Sequence, residues 1–227
     1  MGGMIAPVVT EQAFDEFHLY DIARATTLHD RETKQVEFVH AESMFAPTIC
    51  IYEGEPALVF QGRVALAENY FTGPEHTAVS VMREFVNAET NHLGVALPKG
   101  RLRFYRRDAD GQLQFVGENE IDHTPRQETI RVTTGNSFDL VGERKATDFR
   151  IDTSEKWINE TFEIKLRNRK KEPVEIRVVE HLYRWSNWDI TAHSDDFKKT
   201  DAQTIEFRIP VKPDVERTVA YTAHYSW

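Results

Sequence analysis

A succession of short strand-and-turn units, never interrupted by a helix-length pattern, most constrains what this chain can fold into. In the clearest unit, Arg101–Arg107 leads through Asp108–Gly111 into Gln112–Val116. Apolar and polar residues alternate on both sides of a short Asp/Gly turn, the pattern of a half-buried hairpin. Glu160–Arg167 alternates best, with Phe162, Ile164 and Leu166 on one side and Glu163, Lys165 and Arg167 on the other. The polar link Asn168–Pro173 then returns the chain to Val174, Ile176 and Val178. Two further inward sets follow: Ile205, Phe207, Ile209 and Val211, then Val219, Tyr221, Ala223, Tyr225 and Trp227.

The expected fold class is therefore all-β. An antiparallel Ig-like or Greek-key sandwich fills the C-terminal half, with a second β domain before it. The domain cut is placed at 1–125 and 126–227. Within the first part, strands are expected in Phe14–His40, with Thr33–His40 alternating well, and at Ile49–Tyr52, Ala57–Gln61 and Ala78–Asn87. Val64–Tyr70 reads as a helical turn or a strand, and Phe71–His76 as a loop. Beyond Pro125, three separate strands are expected at Glu128–Thr133, Ser137–Leu140 and Thr147–Asp152. Val79–Asn87 and Phe162–Asn168 both end in Asn before a polar link, a faint internal echo.

Composition removes several functions. With 40% hydrophobic and 29% charged residues, the chain is suited to a folded domain rather than a disordered one. No apolar stretch approaches the roughly 20 residues that span a bilayer, so membrane insertion is not expected. Met1–Pro7 has no basic segment before an apolar core and does not read as a signal peptide. The net charge of −9 lies wholly in residues 1–90, which carry 5 Lys+Arg against 14 Asp+Glu. That field opposes nucleic-acid binding. It serves solubility, or it faces a basic partner. Cys50, the only cysteine, lies in an apolar run and reads as a small buried hydrophobe.

The stretches Gly94–Tyr105, Asp110-Gly111, Val116–Pro125, Gly135–Asp139 and Glu143-Arg144 resemble an uncharacterised bacterial family, domain of unknown function 4139. That family forms the C-terminal part of proteins similar to the mucoidy-inhibitor-A group. Leu28–Val36 upstream, and Trp188–Ile190 and Thr204–Phe207 downstream, extend the likeness. The resemblance implies an all-β C-terminal region and a periplasmic or extracellular location. It implies no activity and no catalytic residues.

No nucleophile elbow, zinc spacing, P-loop or dinucleotide fingerprint occurs, and nothing asks for a cofactor. Two binding candidates remain. Arg101, Arg103, Tyr105 and Arg107 share one side of a strand, where guanidinium groups beside a phenol grip a carboxylate or phosphate. Alternatively they pair with neighbouring acids. The second candidate is the Trp185–Phe197 loop, in which Trp185, Trp188, Asp189 and His193 combine indole faces with polar edges, as sugar-binding surfaces do. The preferred alternative there is that Trp188 closes the core. His193, Asp195 and Asp196 offer metal-ligand atoms, but adjacent aspartates on a strand diverge. The Asn159-Glu-Thr161 sequon carries little meaning in a bacterial protein. The leading expectation is a non-catalytic interaction or scaffold module with a protein or glycan partner. Its rivals are a carbohydrate-binding module and a hydrolase with an unrecognised carboxylate site.

Overall fold

The structure is a computed structural model that describes residues 9–22, 25–54 and 76–227. The described elements are strands and one short 3-10 turn at Glu89–Asn91. The strands are β1 (Val9–Phe14), β2 (Phe17–Ile22), β3 (Thr48–Glu53), β4 (Ala78–Val86), β5 (Gly100–Arg107), β6 (Leu113–Ile121) and β7 (Thr129–Asp152). They continue with β8 (Trp157–Asn168), β9 (Val174–His181), β10 (Trp188–His193), β11 (Phe197–Lys199), β12 (Thr204–Val211) and β13 (Glu216–Ser226). The all-β expectation holds. Ala57–Gln61, Val64–Tyr70 and 71–75 lie outside the described residues.

The chain forms two compact units. One is Met1–Pro47 with Arg83–Val132, the other Thr48–Met82 with Thr133–Trp227. They interleave along the sequence, whereas a reading from pattern alone draws one cut at 125/126. The boundary falls inside β4 and β7.

In the second unit the strands belong to a nine-stranded mixed sheet, ordered β10-β13-β8-β7-β4-β3-β9-β12-β11. β12 and β13 are far apart in that order, yet the Phe207 and Tyr221 rings lie 5.8 Å apart. Tyr221 also packs on Phe162 of β8 at 5.3 Å. The sheet therefore folds over so that its two ends face each other, consistent with a β-sandwich. Alternation built this core as expected: Phe162, Ile164, Leu166, Ile176, Val178, Phe207, Ile209, Val219, Tyr221 and Tyr225 are buried, while Val174 and Trp227 are partly buried. Each large buried aliphatic or Phe side chain contributes about 1.5–3 kcal/mol by leaving water.

Pairing departs from the sequence expectation in three places. β3 runs parallel to β9, with Cys50 opposite Ile176 and Tyr52 opposite Val178, so the sheet is not purely antiparallel. The three strands expected between 128 and 152 are one strand, β7. Two glycines serve this long strand. Gly135 takes φ +136, which costs glycine little. Gly142 lets the Tyr52 ring lie against the backbone, since a Cβ there would stand 2.2 Å from Tyr52 Cδ2. Third, residues 33–40 form no strand. Alternation without a pairing partner leaves them irregular; Phe38 instead meets the Tyr20 ring edge-on at 4.8 Å.

The first unit holds the β1–β2 hairpin, the β5–β6 hairpin and a small core of Phe85, Leu97, Ile130 and Val132. The two strand-ending asparagines do similar work in their separate units. Asn87 donates to the carbonyls of Val95 (2.8 Å) and Pro125 (2.9 Å). Asn168 donates to those of Glu172 (2.8 Å) and Val211 (3.0 Å). Each buried amide ties down the link that follows its strand, satisfying carbonyls that would otherwise be orphaned.

Candidate functional site

The arginine strand is β5, and its partner supplies acids. Arg101 pairs with Glu118 (3.2 Å) and Glu120 (3.5 Å), and Arg103 with Glu118 (3.1 Å). These exposed pairs neutralise the guanidinium groups. Arg107 donates to the Gly111 carbonyl at 2.8 Å across the turn. The turn is built on Asp108, whose carboxylate accepts from the backbone of Asp110 and Gln112 and from the Gln114 amide. The Gln114 bond, then the backbone N–H groups, hold its pKa below the usual carboxylate range. Arg101, Arg103, Tyr105 and Arg107 do not converge on one point; they run in line along an exposed face.

That face differs from the expected half-buried hairpin. The register shifts so that Phe104 faces Gly117 while Tyr105 faces Phe115, leaving Val116 as the extra residue of a bulge. A one-residue insertion reverses the side-chain faces beyond it. Phe115 and Leu113, inward by simple alternation, are therefore outward, 56% exposed each, beside Tyr105 at 54%. The Tyr105 and Phe115 rings meet edge-on at 5.7 Å. Glycine 117 and the hairpin's inner residues Leu102 and Phe104 stay on the core side.

The Trp185–Phe197 segment is not a loop throughout: Trp188–His193 is strand β10, at the edge of the large sheet beside β13. Trp188 is half-buried against the core's flank, its Nε1–H donates to the Ala202 carbonyl at 3.0 Å, and Lys199 Nζ sits 4.3 Å over its ring. Its edge and one face are thus occupied. Trp185 is 37% exposed, with the Trp227 ring 6.4 Å away. Asp189 is exposed on the edge strand. His193 Nδ1 lies 3.0 Å from the Asp195 carbonyl and its ring is edge-on to Phe197. Asp195 bonds Ser194 and Arg217 instead. Among the described residues no three His, Cys, Asp or Glu side chains gather to hold a metal ion.

A set of charged groups inside the second unit was not anticipated. Arg184 pairs with Glu160 at 2.6 Å, and Arg144 with Glu180 at 2.8 Å. Tyr221 donates its hydroxyl proton to the same Glu180 oxygen, while Glu180 Oε1 is buried without a hydrogen-bond partner. Arg144 lies 3.8 Å over the Phe162 ring and Arg184 5.1 Å over that of Phe149. Burial raises the Glu160 pKa, and Arg184 opposes that rise. Burial, then the Glu180 charge, pushes the Tyr52 and Tyr221 hydroxyls up; Tyr225 rises through burial and Glu160. A signal was present in the sequence: Glu160 has the parity of Phe162 and Ile164, and Glu180 that of Ile176 and Val178.

At one end of β3, β9 and β12, His181 Nε2 contacts the Glu53 carboxylate and Nδ1 lies 3.1 Å from Thr204 Oγ1. Tyr183 stacks on the imidazole at 5.1 Å. The residue types match an acid–histidine–hydroxyl relay. Thr204 is buried, however, and both imidazole nitrogens are engaged. The arrangement ties neighbouring strands together.

Fold and site together define an all-β chain with charged groups locked in its core and apolar side chains on its hairpins. No family model, curated protein or solved structure matches the chain. Among the described residues no helix is long and apolar enough to cross a membrane.

Proposed function

We propose that this chain is a non-catalytic interaction module, an immunoglobulin-like sandwich joined to a smaller β unit, whose docking face is the outer side of β5–β6. The exposed Tyr105–Phe115–Leu113 cluster beside neutralised arginines carries this reading. Arg101 and Arg103, already paired with Glu118 and Glu120, do not select phosphate or carboxylate, whereas aromatic residues flanked by Arg are typical of protein interfaces. The buried Glu160 and Glu180 each have an arginine, which suits a structural role better than acid–base work. The capped Trp188 ring favours a protein partner over a glycan. The family resemblance adds a location outside the bacterial cytoplasm to the proposal.

The test places a benzophenone side chain at position 105 and, as a control, at the fully exposed Phe138. Adducts are expected at 105, competed by excess unlabelled chain but not by a Y105S/F115S chain. Generic ester, phosphate and glycoside substrates should show no turnover. Equal labelling at both positions, or turnover lost on His181→Ala, would overturn the reading.

A further inference from the structure

The β1–β2 hairpin has two unlike faces. Its inner face is fixed: Tyr20 donates to the Ala96 carbonyl at 3.0 Å, and Glu11 accepts from the Ala96 N–H at 3.0 Å. On the outer face Phe14 pairs with Phe17 across the turn, and Leu19 follows at the same parity. Phe14 and Phe17 are each 72% exposed and Leu19 62%, around an open apolar concavity that His18 also lines. Exposed apolar surface of this kind marks a contact site. Between the two phenylalanines the turn carries Asp15 and Glu16, both exposed, and residues 9–22 contain no Lys or Arg.

The same unit exposes a face of complementary character. Tyr105, Phe115 and Leu113 lie outward on β5–β6, and Arg103 and Arg107 have the parity of Tyr105. Arg103 shares its charge with Glu118, and Arg107 donates to the Gly111 carbonyl across the turn. Asp108 is taken up by turn N–H groups and Gln114, leaving Asp110 as the turn's other acid. An acidic aromatic prong and an arginine-bordered aromatic face thus stand on one chain, each open, so neither covers the other within a copy.

Resting on the reading of β5–β6 as a docking face, we propose that its occupant is the β1–β2 hairpin of a second copy of this chain. Phe14 and Phe17 cover Tyr105 and Phe115, while Asp15 and Glu16 approach Arg107. The contact joins unlike patches, so it closes as a two-fold dimer if both hairpins engage, or extends into larger assemblies.

Sedimentation of the whole chain at low salt, from about 5 to about 200 µM, spans the range in which micromolar contacts appear. The mean mass should rise with concentration. F14S/F17S and Y105S/F115S chains should each stay monomeric, with unchanged melting temperatures because the altered residues are exposed. Mixing the two variants should restore a one-to-one pair, since each keeps the half the other lacks. D15R/E16R should weaken association about tenfold, the scale of a close like-charge clash, and an R107E partner should recover it. A chain monomeric throughout, or association indifferent to both double substitutions, sinks the proposal. If position 105 then labels a different protein while the copies remain single, the self-contact falls and the interaction reading stands.

Discussion

Glu160 and Arg184 show what a single inward acid commits a β-sandwich to. A carboxylate that shares the parity of Phe162 and Ile164 has to enter the core, and it is tolerated there because Arg184 meets it at 2.6 Å. Removing one partner leaves the other charged and dry. Glu160→Ala is therefore expected to cost about 3–5 kcal/mol in denaturant melts. The double substitution E160M/R184M should cost clearly less than the sum of E160M and R184M, because no uncompensated charge remains. Additive costs would show that the two side chains are not coupled. The parity of Glu160 and Glu180 was legible in the chain. Which arginines meet them was not, because Arg144 lies on β7 and Arg184 beyond the end of β9.

At the scale of the element, β8 is the most fully specified. Its buried and partly exposed residues alternate without a break from Trp157 to Asn168. Ile164→Ala should cost about 2–5 kcal/mol through the cavity it leaves. Lys165→Ala should cost under about 0.5 kcal/mol, since one step reverses the face. Urea melts giving equal or reversed costs would refute the register. β6 shows the limit of such reasoning. Its alternation is as regular on paper, yet the extra residue at Val116 turns Phe115 and Leu113 outward. A bulge is decided between two strands, so neither strand's own pattern announces it. The same holds for β10, a strand hidden in what reads as an aromatic loop, because its pairing partner β13 lies some thirty residues on.

For the molecule as a whole, three buried phenols should govern stability in alkali. Tyr52, Tyr221 and Tyr225 have hydroxyl pKa values raised by burial, then by the nearby glutamates. The unfolded chain releases these protons near pH 10, about the ordinary tyrosine value. Above it the folded state holds more protons than the unfolded, so stability is full below about pH 10 and falls as pH rises further. Each such tyrosine adds about 1.4 kcal/mol per pH unit to the decline. Melts at pH 9 to 12 should show that fall, shallower by one proton in Tyr221→Phe; a flat profile in the parent chain would contradict it. At this scale the division between sequence and structure is clear. The chain by itself determined the fold class, the hairpin turn at Asp108–Gly111, and the inward parity of β8, β9, β12 and β13. These depend only on the pleat of each strand and on local turn chemistry. Tertiary structure decided that 129–152 is one strand, that β3 joins β9 in parallel, that 33–40 goes unpaired, and that the β5–β6 tip shows its aromatic side. Each of those outcomes depends on which distant backbone supplies the hydrogen-bond partner, a choice that no local alternation encodes.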